Sequence, residues 1–218
     1  MKDWFDSAVL VENAFVEVGF VLFPDFYYGP DRHTDIAERK LVEPLYAPNI
    51  PRSAEKLATA NEVQGHIDEL IKYYFDVVRL SKKHSKSFEQ VRQYFWLRLF
   101  IKNADGSFHV SFPWYDTLSE MEGLLKSLAN PPANGEVHWD RDQCWELEMD
   151  AHNEMLFVRE WDPDYEEVHV TGKLPLLSLS ASSHAALERA QAVIAALSNA
   201  LSLDVWATHK KAVNFNEV

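Results

Sequence analysis

Between Trp145 and Asp150 the chain alternates apolar and acidic residues without a break: Trp145, Leu147 and Met149 against Glu146, Glu148 and Asp150. A period of two belongs to a strand and sends the two sets to opposite faces of a sheet. Burying the apolar set leaves the carboxylates facing water. Such a strand needs neighbours, and the sequence supplies them. A turn at Ala151-His152-Asn153 leads to a return strand over 155–161. A turn at Asp162-Pro163-Asp164 leads to a third strand near 168–171. Alternation alone leaves open which face of 155–161 is buried. Ser182 or Ser183 then caps a helix over about 184–201, whose Ala185, Ala186, Ala190, Ala195 and Ala196 allow close packing on a sheet. Residues 203–207 read as a last strand, and the polar tail after Thr208 as loose chain.

Upstream, Trp4, Ala8, Val11, Phe15 and Val18 recur at helical spacing, with Gly19 placed to end the helix. Residues 20–23 read as a short buried strand stopped by Pro24. Pro24, Pro30, Pro44, Pro48 and Pro51 predict a long ordered loop with one helical turn near 36–41. Ser53 is the expected cap of a helix running to about Lys83, because Ile67, Leu70, Ile71, Tyr74, Val77 and Val78 keep helical spacing. Ser87 with Gln90 forms a capping-box pattern. Residues 95–102 and 107–112 flank the turn Asn103-Ala104-Asp105-Gly106 and read as a β-hairpin. Asp116 caps the next helix, with Leu118, Met121, Leu124, Leu125 and Leu128 on one face and Asn130-Pro131-Pro132 at its end.

Hairpins dominate and no strand–helix–strand rhythm appears. The fold class is therefore α+β, with mostly antiparallel sheets packed with about four helices. A chain of 218 residues with 47% hydrophobic content can build a real core as one domain. Residues 133–136 are the expected divide between two subregions: helices plus a β-hairpin over 1–132, and an acidic β-meander plus C-terminal helix over 133–218.

Charge is unevenly spread. The window 136–167 holds twelve carboxylates against Arg141 and Arg159, and so carries ten of the chain's thirteen net negative charges. A surface of that sign repels nucleic acid and anionic lipid and attracts basic protein surfaces. The stretch 8–23 lacks a basic leader and is interrupted by Glu12 and Glu17, and no run is long enough to span a bilayer. Cys144 is alone, which fits a reducing compartment. The expectation is a soluble cytoplasmic protein that binds neither nucleic acid nor membrane.

Catalytic patterns are weak. His138, Asp140 and Asp142 recur at i, i+2 and i+4 with His152 across the turn, a spacing that could converge on a metal, but a solvated acidic edge explains it as well and no metal is expected there. Asp162, Asp164 and Glu166 imitate the start of a calcium loop, yet Glu167 and Lys173 stand where its glycine and bidentate glutamate belong. No nucleophile elbow or phosphate loop occurs. Ser180, Ser182 and Ser183 beside His184 read as cap chemistry, and Lys82-Lys83-His84 as cations at a helix C-terminus.

Trp139-x-x-Asp142-Gln143-x-Trp145, then Leu156-x-Val158-x-x-Trp161 and an Ala/Leu-rich helix, resembles in layout the bacterial immunity proteins of polymorphic toxin systems. The resemblance implies a small acidic α+β inhibitor without catalysis or cofactor. The expected function is therefore a non-enzymatic module for a basic protein partner, contacting it through Glu146, Glu148, Asp150, Glu154, Glu160, Asp162 and Asp164. The rivals are a metal-dependent, hydrolase-like enzyme using the acidic strands, and a structural or adaptor subunit.

Overall fold

The computed structural model describes residues 2–31, 37, 40–112, 114–206 and 215. A 3-10 turn at Asp3–Ser7 precedes β1 (Phe15–Val21), β2 (Asp25–Tyr27), β3 (Val42–Pro44), β4 (Leu57–Thr59), α1 (Ala60–Val63), α2 (Ile67–Lys83) and α3 (Phe88–Val91). A 3-10 turn at Arg92–Phe95 leads to β5 (Leu97–Lys102), β6 (His109–Ser111) and α4 (Leu118–Ala129). Then come β7 (Gly135–Asp142), β8 (Trp145–His152), β9 (Met155–Asp162), β10 (Glu167–Pro175) and α5 (Leu176–Leu201). The strands form sheets in the orders β4-β1-β5-β6, β10-β9-β8-β7 and β2-β3, and the fold is α+β. No helix among the described residues is long and apolar enough to cross a membrane.

The chain divides into two compact units, each discontinuous in sequence. The first is Met1–Glu17, Leu99–Tyr115 and Glu120–Glu188, so residues 133–136 lie inside it. The second is Val18–Arg98, Asp116–Ser119 and Arg189–Val218.

In the first unit, β7 to β10 form an antiparallel meander, and Leu147, Met149, Leu156, Val158 and Leu174 are buried on one face. Each such side chain contributes roughly 1.5–3 kcal/mol of burial. The β8–β9 turn is Asn153-Glu154, one step beyond the expected one, and both residues have positive φ as a tight two-residue hairpin loop demands. The expected hairpin of β5 and β6 forms, with Phe100 opposite Ser111. The C-terminal helix begins directly after Pro175, so Ser182 and Ser183 are not its caps. Instead Ser183 Oγ donates to the Leu125 carbonyl at 2.9 Å, and Ser180 Oγ donates to that of Ala129. Ala129 is the last residue of α4, where a carbonyl lacks a helical partner, and Ser180 of α5 supplies one.

The helix expected over 4–18 does not form. Only Asp3–Ser7 turns, and Phe15–Val21 is a strand buried along its length. Its β-branched and aromatic residues favour that state over the helix the spacing imitated. In the second unit Gly19 lies inside this strand opposite Thr59, and a Cβ there would stand 2.7 Å from the Leu57 side chain. It is a close-approach glycine, not a helix stop. The helix expected from Ser53 is interrupted: Thr59 caps α1 by a capping box with Glu62, and Gly65 at φ +80 separates α1 from α2. Ser53 instead donates its N–H to Glu62 Oε1, at 2.7 Å. The Ser87–Gln90 pattern does begin a helix, with Ser87 N–H donating to Gln90 Oε1 at 2.9 Å. The proline-rich loop contains the ribbon β2–β3, while the turn expected near 36–41 falls largely outside the described residues. Residues 203–206 form no strand; Trp206 is buried edge-on against Tyr74 and Phe95. Ala207 and nearly all of the tail lie outside the described residues.

Candidate partner-binding surface

Residues directly opposite in a sheet share a face, so the meander's register fixes what surrounds the carboxylates of β8. Glu146 lies between Arg141 and Trp161, and Glu148 between Trp139 and Arg159. These three carboxylates do not look into water. Glu146 is 8% exposed and Asp150 7%, and Glu148 is half-buried. The expectation that all three point to solvent is overturned, because the other face of the strand is covered as well. Phe5, from the N-terminal turn, stacks on Phe157 with centroids 4.0 Å apart. Trp4 Nε1 donates to Glu148 Oε2 at 2.9 Å, and Lys2 Nζ stands 2.7 Å from Asp150 Oδ2. Trp139 Nε1 donates to Glu146 Oε1 at 2.9 Å. Burial opposes the charge on Lys2, but the Asp150 and Glu148 carboxylates outweigh it and raise its pKa. Three cations lie along this row: Lys2 at Asp150, Arg141 with its Nε 3.9 Å from Glu146, and Arg159 opposite Glu148. Leu147 and Met149 are buried as expected, whereas Trp145 is half-buried and donates to Glu160 Oε1 at 2.8 Å.

The seven expected contact residues do not form one surface. Glu146, Glu148, Asp150 and Glu160 are engaged within the unit. Glu154 is exposed at the β8–β9 turn. Asp162 and Asp164 belong to the β9–β10 turn, which a meander places at the opposite end of the sheet, beside the β7–β8 turn. There Asp162 Oδ1 accepts the N–H groups of Asp164 at 2.8 Å and Tyr165 at 3.2 Å, which makes it a turn-former. Asp164, Glu166 and Glu167 are exposed around Tyr165, which is 78% exposed. Trp139 and Val168 are also exposed, at 51% and 47%. Sequence reasoning missed Tyr165, though a large ring between turn carboxylates has no apolar neighbour to bury it.

Cys144, Asp162 and Asp164 bring a ligand atom each within 4.8 Å of one another, the one such group of three among the described residues. The Cys144 thiol donates to Asp164 Oδ2 at 3.3 Å, and that bond raises its pKa. The bond ties the β7–β8 and β9–β10 turns together. His138, Asp140, Asp142 and His152 do not assemble as a ligand set. Instead Tyr115, unforeseen in the sequence, joins two of them. Its hydroxyl donates to Asp140 Oδ2 at 3.0 Å, so the 3.2 Å contact with His138 Nε2 has the imidazole N–H donating to the phenol oxygen. Burial lowers the pKa of His138 against the opposing pull of Asp140 and Glu136, and burial together with Asp140 raises that of Tyr115. A neutral imidazole donating to a protonated phenol is a packed link, not an activated nucleophile.

Comparison with protein-family models, with curated proteins and with solved structures found no match to this chain.

Proposed function

We propose that the protein is a non-enzymatic protein-binding module, an immunity-type inhibitor of a basic partner, and that it docks through the turn end of the meander. One observation supports this reading above the rest: Tyr165 stands 78% exposed between the exposed carboxylates of Asp164 and Glu166. An aromatic ring costs little conformational entropy to immobilise and supplies the anchor, while the carboxylates steer a cationic surface toward it. The carboxylates of β8, engaged within the unit, are not part of this surface. Such steering is screened over about 8 Å at physiological ionic strength.

The test is association kinetics with the basic protein captured from the source cell. Reversal to Lys at Asp164, Glu166 or Glu167, or added salt, should slow association much more than it speeds dissociation. Tyr165→Ala should chiefly speed dissociation. Association that ignores both salt and these reversals would refute this surface.

A further inference from the structure

From the free edge of the meander we infer that the partner contributes an extended basic segment that adds as a fifth strand to the outer edge of β7. This rests on the reading of a basic partner and names how it is held. Among the described residues no strand pairs with that edge. The opposite edge differs. On β10, Lys173 is bonded on both sides of its peptide by the N-terminal segment, Val11 N–H to its carbonyl and its N–H to Val9, each at 2.9 Å. A bulge between Val168 and Val170 interrupts the rest. The bulge of β7 lies between Glu136 and His138, which leaves residues 138–142 in unbroken register with β8 and open on their other side. Unpaired strand edges are templates for another strand, and charge decides which strand is accepted.

The charge on this edge selects the occupant. β7 carries Glu136, Asp140 and Asp142 against Arg141. Pairing with a second copy of β7 sets carboxylate rows side by side and is disfavoured. A basic strand relieves the same repulsion. The register adds a pattern. Asp140 and Asp142 share one face and Trp139 and Arg141 the other, so the added strand places Lys or Arg at i and i+2 and an apolar residue beside Trp139.

The probe is a synthetic peptide, Thr-Val-Lys-Thr-Lys-Val-Thr, which reads the same in either direction. It is compared with a scrambled peptide and with two versions N-methylated on one or the other set of alternate amides. The full chain is followed by amide NMR and hydrogen exchange. The expected result is that the parent peptide shifts and protects the amides of residues 138–142. One methylated set should lose tenfold or more in affinity and the other should bind like the parent, because only one set of amides faces β7. Equal binding of all four peptides, or shifts confined to Tyr165, Glu166 and Glu167, overturns strand addition and leaves the acidic docking surface standing. Failure of every peptide to bind at low salt overturns strand addition and counts against that surface too.

Discussion

Glu146, Glu148 and Asp150 on β8 and Asp164, Glu166 and Glu167 in the β9–β10 turn come from the same acidic stretch, yet they live in opposite surroundings. The first three lie beneath Trp4, Phe5 and Trp139, each with an N–H donor or an ammonium within 2.9 Å. The second three stand exposed. A desolvated carboxylate must be paired or it unfolds the protein, whereas a solvated one is free to act on something else. The difference separates carboxylates that hold the sheet together from those available to a partner. Net charge along the sequence does not make that distinction.

The comparison breaks most readily at its cover. Phe5→Ala removes the ring stacked on Phe157 and should cost about 3–5 kcal/mol in urea unfolding, the usual cost of truncating a buried aromatic. A loss near zero would mean that the N-terminal turn does not shield β8. Trp4→Phe keeps most of the packing but removes the donor to Glu148, and should cost about 1.5–3 kcal/mol, the worth of a hydrogen bond to a charged group.

His138 offers a smaller, pH-dependent version of the same contrast. Burial holds its pKa below the ordinary 6.5. The unfolded chain therefore takes up the proton first, and this contribution is complete above pH 6.5 and declines as pH falls from there to the folded pKa. Urea midpoints at pH 7 and at mildly acid pH should show a larger loss for the wild type than for His138→Gln, which keeps a donor to Tyr115 without titrating. Equal losses would place the imidazole in water. The smallest effect belongs to Glu167→Lys, which should leave stability within about 0.5 kcal/mol.

Three strands of the meander, β8 to β10, were legible because they alternate or are apolar and their turns carry Asn, Asp and Pro; β7, half-exposed and joined to β8 by Gln143-Cys144, was not. The hairpin at Asn103-Ala104-Asp105-Gly106 was legible for the same local reason. What failed depended on distant chain. The Phe15–Val21 strand imitated a helical stripe, and only its burial on both faces along the whole run decides the matter. Nothing near Glu148 says that Trp4 will donate to it, since the two are 144 residues apart. At the candidate surface the turn itself is legible from Asp162-Pro163-Asp164, while the exposed Tyr165 ring has no signal in the charge pattern. Alternation assigns Glu146, Glu148 and Asp150 to water, a rule that holds only when one face of a strand is uncovered.

The division between structural and available carboxylates is tested most directly by one pair of urea unfolding curves, Glu146→Lys beside Glu166→Lys. Both make the same change of charge within the same stretch. Glu146→Lys should lose about 3–5 kcal/mol, because it sets an unpaired cation beside Arg141 in a nearly closed site. Glu166→Lys should stay within about 0.5 kcal/mol of the wild type. Two curves that coincide with the wild type would contradict the division, since the carboxylates of β8 would then face water as freely as those of the turn.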